Sequence, residues 1–164
     1  MSNVLIGIIG VILFIGLALA GALFLGDRFS SSRTQGEAAR YMSEGSQISK
    51  AYEMYRINEG AYPTGLKADG SAYDTTETKA RLVELKEKGY LKQIPVGSSA
   101  ANPSDGAWYI DNAKGAALTL IGPDTASKNV CIEARKQSGI SDPSSIKACD
   151  AADLANNDPC CSIA

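Results

Sequence analysis

Residues 4–26 read VLIGIIGVILFIGLALAGALFLG, a stretch without one charged or strongly polar side chain. It exceeds the roughly 20 apolar residues that a helix needs to cross a bilayer. The rest of the 164-residue chain has the composition of a soluble domain, in which serine, glycine, alanine and aspartate are common. Three interpretations of the stretch compete: a secretory signal peptide, a permanent membrane anchor, and a helix that crosses the membrane first and is later buried in a polymer.

The residues that flank this stretch bear on the choice. Ala18-Leu19-Ala20 resembles a signal-peptide cleavage site, but no positively charged region precedes it and the apolar run continues beyond it. Arg28 and Arg33 follow closely, and the positive-inside rule taken alone would place the rest of the chain in the cytoplasm. A short basic leader removed from in front of Met1 would reverse that balance, so we expect Met1 to be a processed N-terminus.

The helix is predicted to continue beyond the apolar stretch. No proline occurs between residues 27 and 58, and Gly36 and Gly45 are the only weak positions, each costing about 1 kcal/mol relative to alanine. Apolar residues recur at spacings of three, four and seven, which indicates one buried stripe; they are Ala38, Tyr41, Ile48, Ala51, Tyr52 and Tyr55. A helix over residues 3–58 would be roughly 80 Å long.

This long helix therefore has two parts with different environments. Residues 1–26 are apolar on all sides, which predicts burial in a membrane or in a filament core. Residues 27–58 carry one apolar stripe, which predicts packing against a globular head. The head itself is predicted to comprise residues 59–164.

A short helix is predicted at residues 76–88, after the turn cluster that contains Tyr62 and Pro63. Glu84 and Glu87 have basic neighbours in sequence, so we expect both on the solvated face of this helix. The apolar residues expected to face inward are Leu82, Val83 and Leu85.

The second half of the head is predicted to hold two strands and a helix. Residues 107–111 and 116–121 form the strands, and residues 112–115 supply a hairpin-type turn. Residues 126–138 are predicted to be helical, and the tail from residue 140 onward is rich in turns. The predicted fold class is α+β, with the long N-terminal helix packed on a small antiparallel sheet and a disulfide-bonded C-terminal region.

The four cysteines, Cys131, Cys149, Cys160 and Cys161, all lie in the last quarter of the chain. An even number in a small domain favours disulfides and an oxidising compartment. A bond between the adjacent Cys160 and Cys161 is sterically awkward, so Cys131 and Cys149 are each expected to pair with one of these two, in either order. A zinc site is the alternative, although Cys160-Cys161 lacks the usual two-residue gap.

The sequence contains few candidate residues for enzymatic catalysis. There is no histidine to activate a thiol, no glycine-rich phosphate loop after a strand, and no G-x-S-x-G nucleophile elbow. The formal net charge of -2 does not favour nucleic-acid binding through a basic surface. We therefore predict that the protein is not an enzyme and binds no cofactor or metal.

Two motifs that follow the N-terminal helix carry a family resemblance. The first is Glu59-Gly60-Ala61-Tyr62-Pro63, and the second runs from Leu82-Val83-Glu84-Leu85 to Gly89-Tyr90-Leu91. In this order, and with the cysteine-rich C-terminal region, they resemble the type IV pilins and pseudopilins over most of the chain. The start at Met1 and the cystine-bearing C-terminal region are similar to the type IVb branch, which includes toxin-coregulated and conjugative thin-pilus pilins.

The resemblance implies a structural subunit of an extracellular type IV pilus, used for attachment, motility, mating or DNA uptake. The implied partners are other copies of the chain in a helical homopolymer, the inner membrane before assembly, the pilus assembly machinery and the leader peptidase; host surfaces, DNA and phage are further candidates. It also implies that Met1 is methylated. Most family members carry a glutamate at the fifth mature residue, where this chain has Leu5, so subunit register would have to come from helix packing.

Small residues in the apolar stretch are predicted to allow close packing of helices in a filament core. They are Gly7, Gly10, Gly16, Ala18, Ala20, Gly21 and Ala22, and the simpler interpretation is that membrane helices are generally rich in glycine and alanine. Asp27 and Arg28 are candidates for intersubunit ion pairs, or else for an anchor at the membrane interface. Two other functions compete with a major pilin: a minor pilin or pseudopilin of a secretion machine, and a membrane-anchored binding domain of the envelope.

Overall fold

The computed structural model of the protein describes residues 2–74, 76–97, 107–111 and 115–162. The elements in chain order are α1 (Ser2–Glu59), α2 (Glu77–Glu87), β1 (Trp108–Asp111), β2 (Ala116–Ile121), α3 (Thr125–Gln137) and β3 (Cys160–Ser162). The α+β fold class is confirmed: a long N-terminal helix, a small sheet and two C-terminal disulfides are all present.

Contacts divide the chain into two compact units, Met1–Gly36 and Glu37–Ala164, and α1 contributes residues to both. The described part of the first unit consists of α1 alone. The division by chemistry into residues 1–26, 27–58 and 59–164 is a different one and stays a prediction.

In the second unit, α1 packs through the stripe that its periodicity predicts. All six apolar residues of the stripe are buried, with Ala38 and Ile48 fully inaccessible to solvent. Gly45 lies in the same contact, where a Cβ atom would be 3.0 Å from the backbone oxygen of Ala117 and 3.4 Å from the Trp108 ring. A glycine thus lets the helix approach the sheet closely, which the sequence alone presents only as a weak point.

The ends of the short helices follow local chemistry. Asp124 caps α3, because its carboxylate accepts a hydrogen bond of 2.8 Å from the backbone N–H of Ser127. Gly89 has φ +81° just after α2, and Tyr90 donates its backbone N–H back to the carbonyl of Leu85 over 2.8 Å. This left-handed residue ends the helix at little cost because glycine has no Cβ atom.

The sheet has the order β1-β2-β3. β1 and β2 pair antiparallel, with Trp108 opposite Thr119, so the predicted hairpin pairing is confirmed. β3 pairs in parallel with β2, with Thr119 opposite Cys160, which makes the sheet mixed and adds a strand that was assigned to the tail. Three residues are too few to show an alternating pattern. Residues 98–106 and 112–114 lie outside the described residues, and the second of these ranges covers most of the predicted turn.

The main core forms where α1, α2 and β1 meet. Trp108 is completely buried at its centre, and its indole N–H donates to the Pro95 carbonyl over 2.9 Å. The core cluster comprises Ile48, Ala51, Tyr52, Tyr55, Leu82, Leu85, Leu91, Trp108, Ile110 and Ala117. Leu82 and Leu85 thus face inward as predicted, whereas Val83 is only half-buried.

Candidate assembly surface

The described large apolar side chains between residues 4 and 23 of α1 are exposed to solvent in the isolated chain. Their exposed fractions run from 50% at Ile9 to 78% at Leu23. Of the helices in the described part of the chain, α1 is the one long and apolar enough to cross a membrane, with a mean hydropathy of 2.8 over a window that is not buried at all. We call this set the apolar surface: Val4, Ile6, Ile8, Ile9, Val11, Ile12, Leu13, Phe14, Ile15, Leu17, Leu19 and Leu23.

The apolar surface surrounds the helix completely. Ile12, Leu13, Phe14 and Ile15 occupy four consecutive positions, which is more than one turn of 3.6 residues. Each is at least half exposed. A helix that is apolar all round needs an apolar environment on every side, such as lipid tails or several neighbouring helices. A signal sequence has the same composition. By length and composition the helix is thus able to enter a membrane, and this surface does not distinguish a permanent anchor from a signal sequence.

The described glycines of the first unit contact no side chain of the described part of the chain. A Cβ atom added at Gly7, Gly10, Gly16 or Gly21 would meet no heavy atom within 4 Å among the described residues. At about 100° per residue, Gly7, Gly10 and Gly21 lie on one side of α1 and Gly16 lies on the opposite side. Ala18, Ala20 and Ala22 are likewise exposed. Their predicted packing role therefore concerns contacts between chains and stays a prediction.

Other predicted positions at the two ends of the apolar stretch are only partly described. Met1 lies outside the described residues, as do the side chains of Leu5 and Asp27, although the backbone of both is helical. Arg28 is exposed on α1. The processed N-terminus and the intersubunit ion pairs therefore stay predictions.

Glu84 is buried, so its predicted place on a solvated face is wrong. It is 2% exposed and accepts hydrogen bonds from the Tyr55 hydroxyl, at 2.5 Å, and from the backbone N–H of Gly65, at 2.7 Å. Lys88 approaches the same carboxylate at 3.8 Å. Ala80 is buried four residues earlier, on the same side of α2, and this spacing is the signal in the sequence that could have indicated burial.

The buried carboxylate affects the acid–base behaviour of the residues around it. Burial raises the pKa of Tyr55, and the hydrogen bond to Glu84 raises it further. The pKa of Lys88 is raised chiefly by its hydrogen bond to the Tyr55 hydroxyl. Tyr55 near the end of α1 thus contacts Glu84 of α2 and Lys88 just after it. The backbone of Gly65, in the turn after α1, binds the Glu84 carboxylate as well. We interpret the cluster as structural because each polar atom is directed at another part of the fold.

The disulfides pair Cys131 with Cys160 and Cys149 with Cys161. This agrees with the expectation that the two adjacent cysteines bond elsewhere, and it decides between the two pairings that were left open. Because successive residues of a strand point to opposite faces, Cys160 and Cys161 can reach different partners. The disulfides use all four thiols, so the zinc alternative is not realised, and the described residues contain no cluster of three or more metal-ligating side chains.

Arg135 and Asp158 form a buried ion pair that sequence reasoning missed. The pair distance is 3.2 Å, and both side chains are at most 4% exposed. Arg135 also donates to the carbonyls of Pro143, at 3.1 Å, and Ser145, at 2.6 Å. Burial raises the pKa of Asp158, and the guanidinium opposes that rise. The pair therefore orders the tail. No pattern in the sequence around Asp158 predicts this ion pair.

A depression in the second unit lies beside this ion pair. Its volume is about 470 Å³, and its lining includes Arg135, Asp158, Lys147 and Asp153. Lys147 and Asp153 pair with each other across 2.6 Å at its rim. Cations and carboxylates are thus matched inside the chain, which makes this depression a poor candidate for binding a charged ligand. Comparisons with family models, curated proteins and solved structures found no match to this chain.

Proposed function

We propose that this protein is the structural subunit of an extracellular type IV pilus filament. The proposal is supported above all by the apolar surface, which encircles the first part of α1 and which no described part of the chain covers. Burying one leucine or isoleucine side chain is worth about 1.5–3 kcal/mol. Outside lipid, several parallel copies of the same helix would supply such burial on every side.

The sequence motifs and the fold add support of a different kind. The order of the long helix, the Tyr62-Pro63 turn and the Gly89-Tyr90-Leu91 segment is similar to that of type IV pilins. An α+β domain with two disulfides suits an oxidising compartment outside the cytoplasm. We propose residence in the inner membrane before assembly, processing at Met1 by a leader peptidase, and assembly by a pilus machinery.

Electron microscopy of sheared cell-surface material, combined with mass spectrometry of the N-terminus, tests this proposal. Filaments composed mainly of this chain, with a processed and methylated Met1, are expected. Protein that remains with the membrane as single molecules would instead identify an anchored envelope domain. A trace amount in filaments made of another subunit would identify a minor pilin.

A variant can separate membrane insertion from assembly. Gly16→Leu keeps the segment apolar and helical but fills a site of close approach between helices. We expect normal amounts in the membrane and at least a roughly tenfold loss of sheared filaments, since close packing of small residues carries such contacts. Leu17→Ile, which preserves volume at the next position, is the matched control. Equal filament yields from the two variants would contradict a packing role for Gly16.

A further inference from the structure

The C-terminal tail, residues 140–162, contributes little apolar burial of its own. Beyond Ala134, the buried hydrophobic residues of the described chain are Leu154, Cys160 and Cys161. Two of these three are half-cystines. Because apolar burial is the main force that holds a segment to a fold, the attachment of this tail depends strongly on its covalent links and on the buried ion pair between Arg135 and Asp158.

The two disulfides have different tasks. Cys131 lies on α3 and Cys160 on β3, so this bond joins the tail to the rest of the domain, and both cysteines are fully buried. Cys149 and Cys161 both belong to the tail, so their bond joins the tail to itself. That second bond lies beside a backbone link in which Cys149 donates to the carbonyl of Ser162.

Two core clusters that hold the helices to each other and to the hairpin contain no cysteine. The core cluster around Trp108 contains no cysteine and no residue beyond Ala117. α3 is attached to α1 by a separate cluster of Ala38, Tyr41, Val130 and Ala134. One face of the β1–β2 hairpin therefore packs on the helices without help from the tail, whereas Leu118 and Leu120 on its other face pack against Leu154 and Cys161 of the tail.

We propose that the Cys131–Cys160 disulfide is a redox-dependent latch that holds β3 against β2. When a dithiol reductant transfers two electrons and two protons to this bond, two thiols form and the reductant becomes a cyclic disulfide. The tail then leaves, the Thr119–Ile121 edge of β2 is free to pair with another strand, and the rest of the domain stays folded. An unpaired edge favours pairing with other chains. Only an oxidising compartment therefore keeps this edge of β2 covered by β3.

Two neighbouring amides of β2 allow a direct test. Thr119 donates its backbone N–H to Pro159 next to β3, at 3.0 Å, whereas Leu120 donates to Ala107 next to β1, at 2.9 Å. Amide hydrogen exchange is measured at residue resolution on the full chain in detergent micelles, with and without the reductant dithiothreitol. Reduction should accelerate exchange at Thr119 by at least roughly 100-fold and leave Leu120 nearly unchanged, because only the first amide loses its acceptor.

Paired substitutions assign the effect to one bond without reductant. The double variant Cys131→Ala/Cys160→Ala should show fast exchange at Thr119, and Cys149→Ala/Cys161→Ala should keep that amide protected. The latch is refuted if Thr119 stays protected in the first variant. It is equally refuted if Leu120 and the α2 amides lose protection together with Thr119, since the domain would then unfold as one unit.

Discussion

Replacing Gly45 with alanine measures how tightly α1 meets the sheet. Alanine in a helix interior gains about 1 kcal/mol over glycine. The added Cβ atom, however, would lie 3.0 Å from the Ala117 carbonyl oxygen, a backbone atom of β2 that cannot move without disturbing the β1–β2 pairing. Overpacking of this kind costs about 1–3 kcal/mol. We therefore expect Gly45→Ala to lower the free energy of unfolding by up to about 2 kcal/mol.

Gly36→Ala is the matched control for this prediction. Both glycines lie inside α1, but a Cβ atom at Gly36 would meet nothing within 4 Å. This control should keep or raise the stability by up to about 1 kcal/mol. Denaturant unfolding in detergent, followed by the fluorescence of Trp108, the only tryptophan, compares the two. If Gly45→Ala is as stable as Gly36→Ala, the close helix–sheet contact does not constrain this position.

Three further predictions concern the polar groups of the second unit. Glu84→Gln replaces a charged acceptor of the Tyr55 hydroxyl and should lower the free energy of unfolding by about 1–3 kcal/mol; the pKa of Tyr55 should fall toward its ordinary value, and an unchanged phenolate absorbance titration would contradict this. Arg135→Met leaves the Asp158 carboxylate buried without its cation and should cost about 3–5 kcal/mol at neutral pH. Because burial raises the pKa of Asp158 above that of an unfolded aspartate, its contribution favours folding at acidic pH and is lost as the pH rises through the folded pKa. The deficit of that variant should therefore shrink on acidification, and urea unfolding at a series of pH values would show a constant deficit if the reasoning is wrong. Asp124→Ala removes the α3 cap, and hydrogen bonds within the first turn hold the pKa of Asp124 below its usual value. The stability from this group is thus present above the pKa of an unfolded aspartate and lost as the pH falls through the folded pKa; the same pH series should show a smaller acid-dependent loss in the variant than in the parent protein.

The parts of the fold that depend on local patterns were predicted well. The six-residue stripe of α1 is buried as its spacing indicates, and the observed bounds of α1 and β2 agree with the sequence to within one residue. Helical periodicity and turn residues act over a few positions, so a sequence displays them directly. Glu84 shows the limit of this reasoning, because its basic neighbours suggest solvent while its acceptors face Tyr55 and Gly65, distant in sequence.

The sequence by itself determined that this chain begins with a helix able to enter a membrane, continues as an amphipathic helix, and ends in a cysteine-rich tail. These features follow from composition and short-range spacing. Only the tertiary structure decided which cysteines pair, that β3 joins β2 in parallel, and that Arg135 meets Asp158. Each of those contacts joins residues at least 12 positions apart, and their geometry depends on how the whole domain packs, which no local pattern encodes.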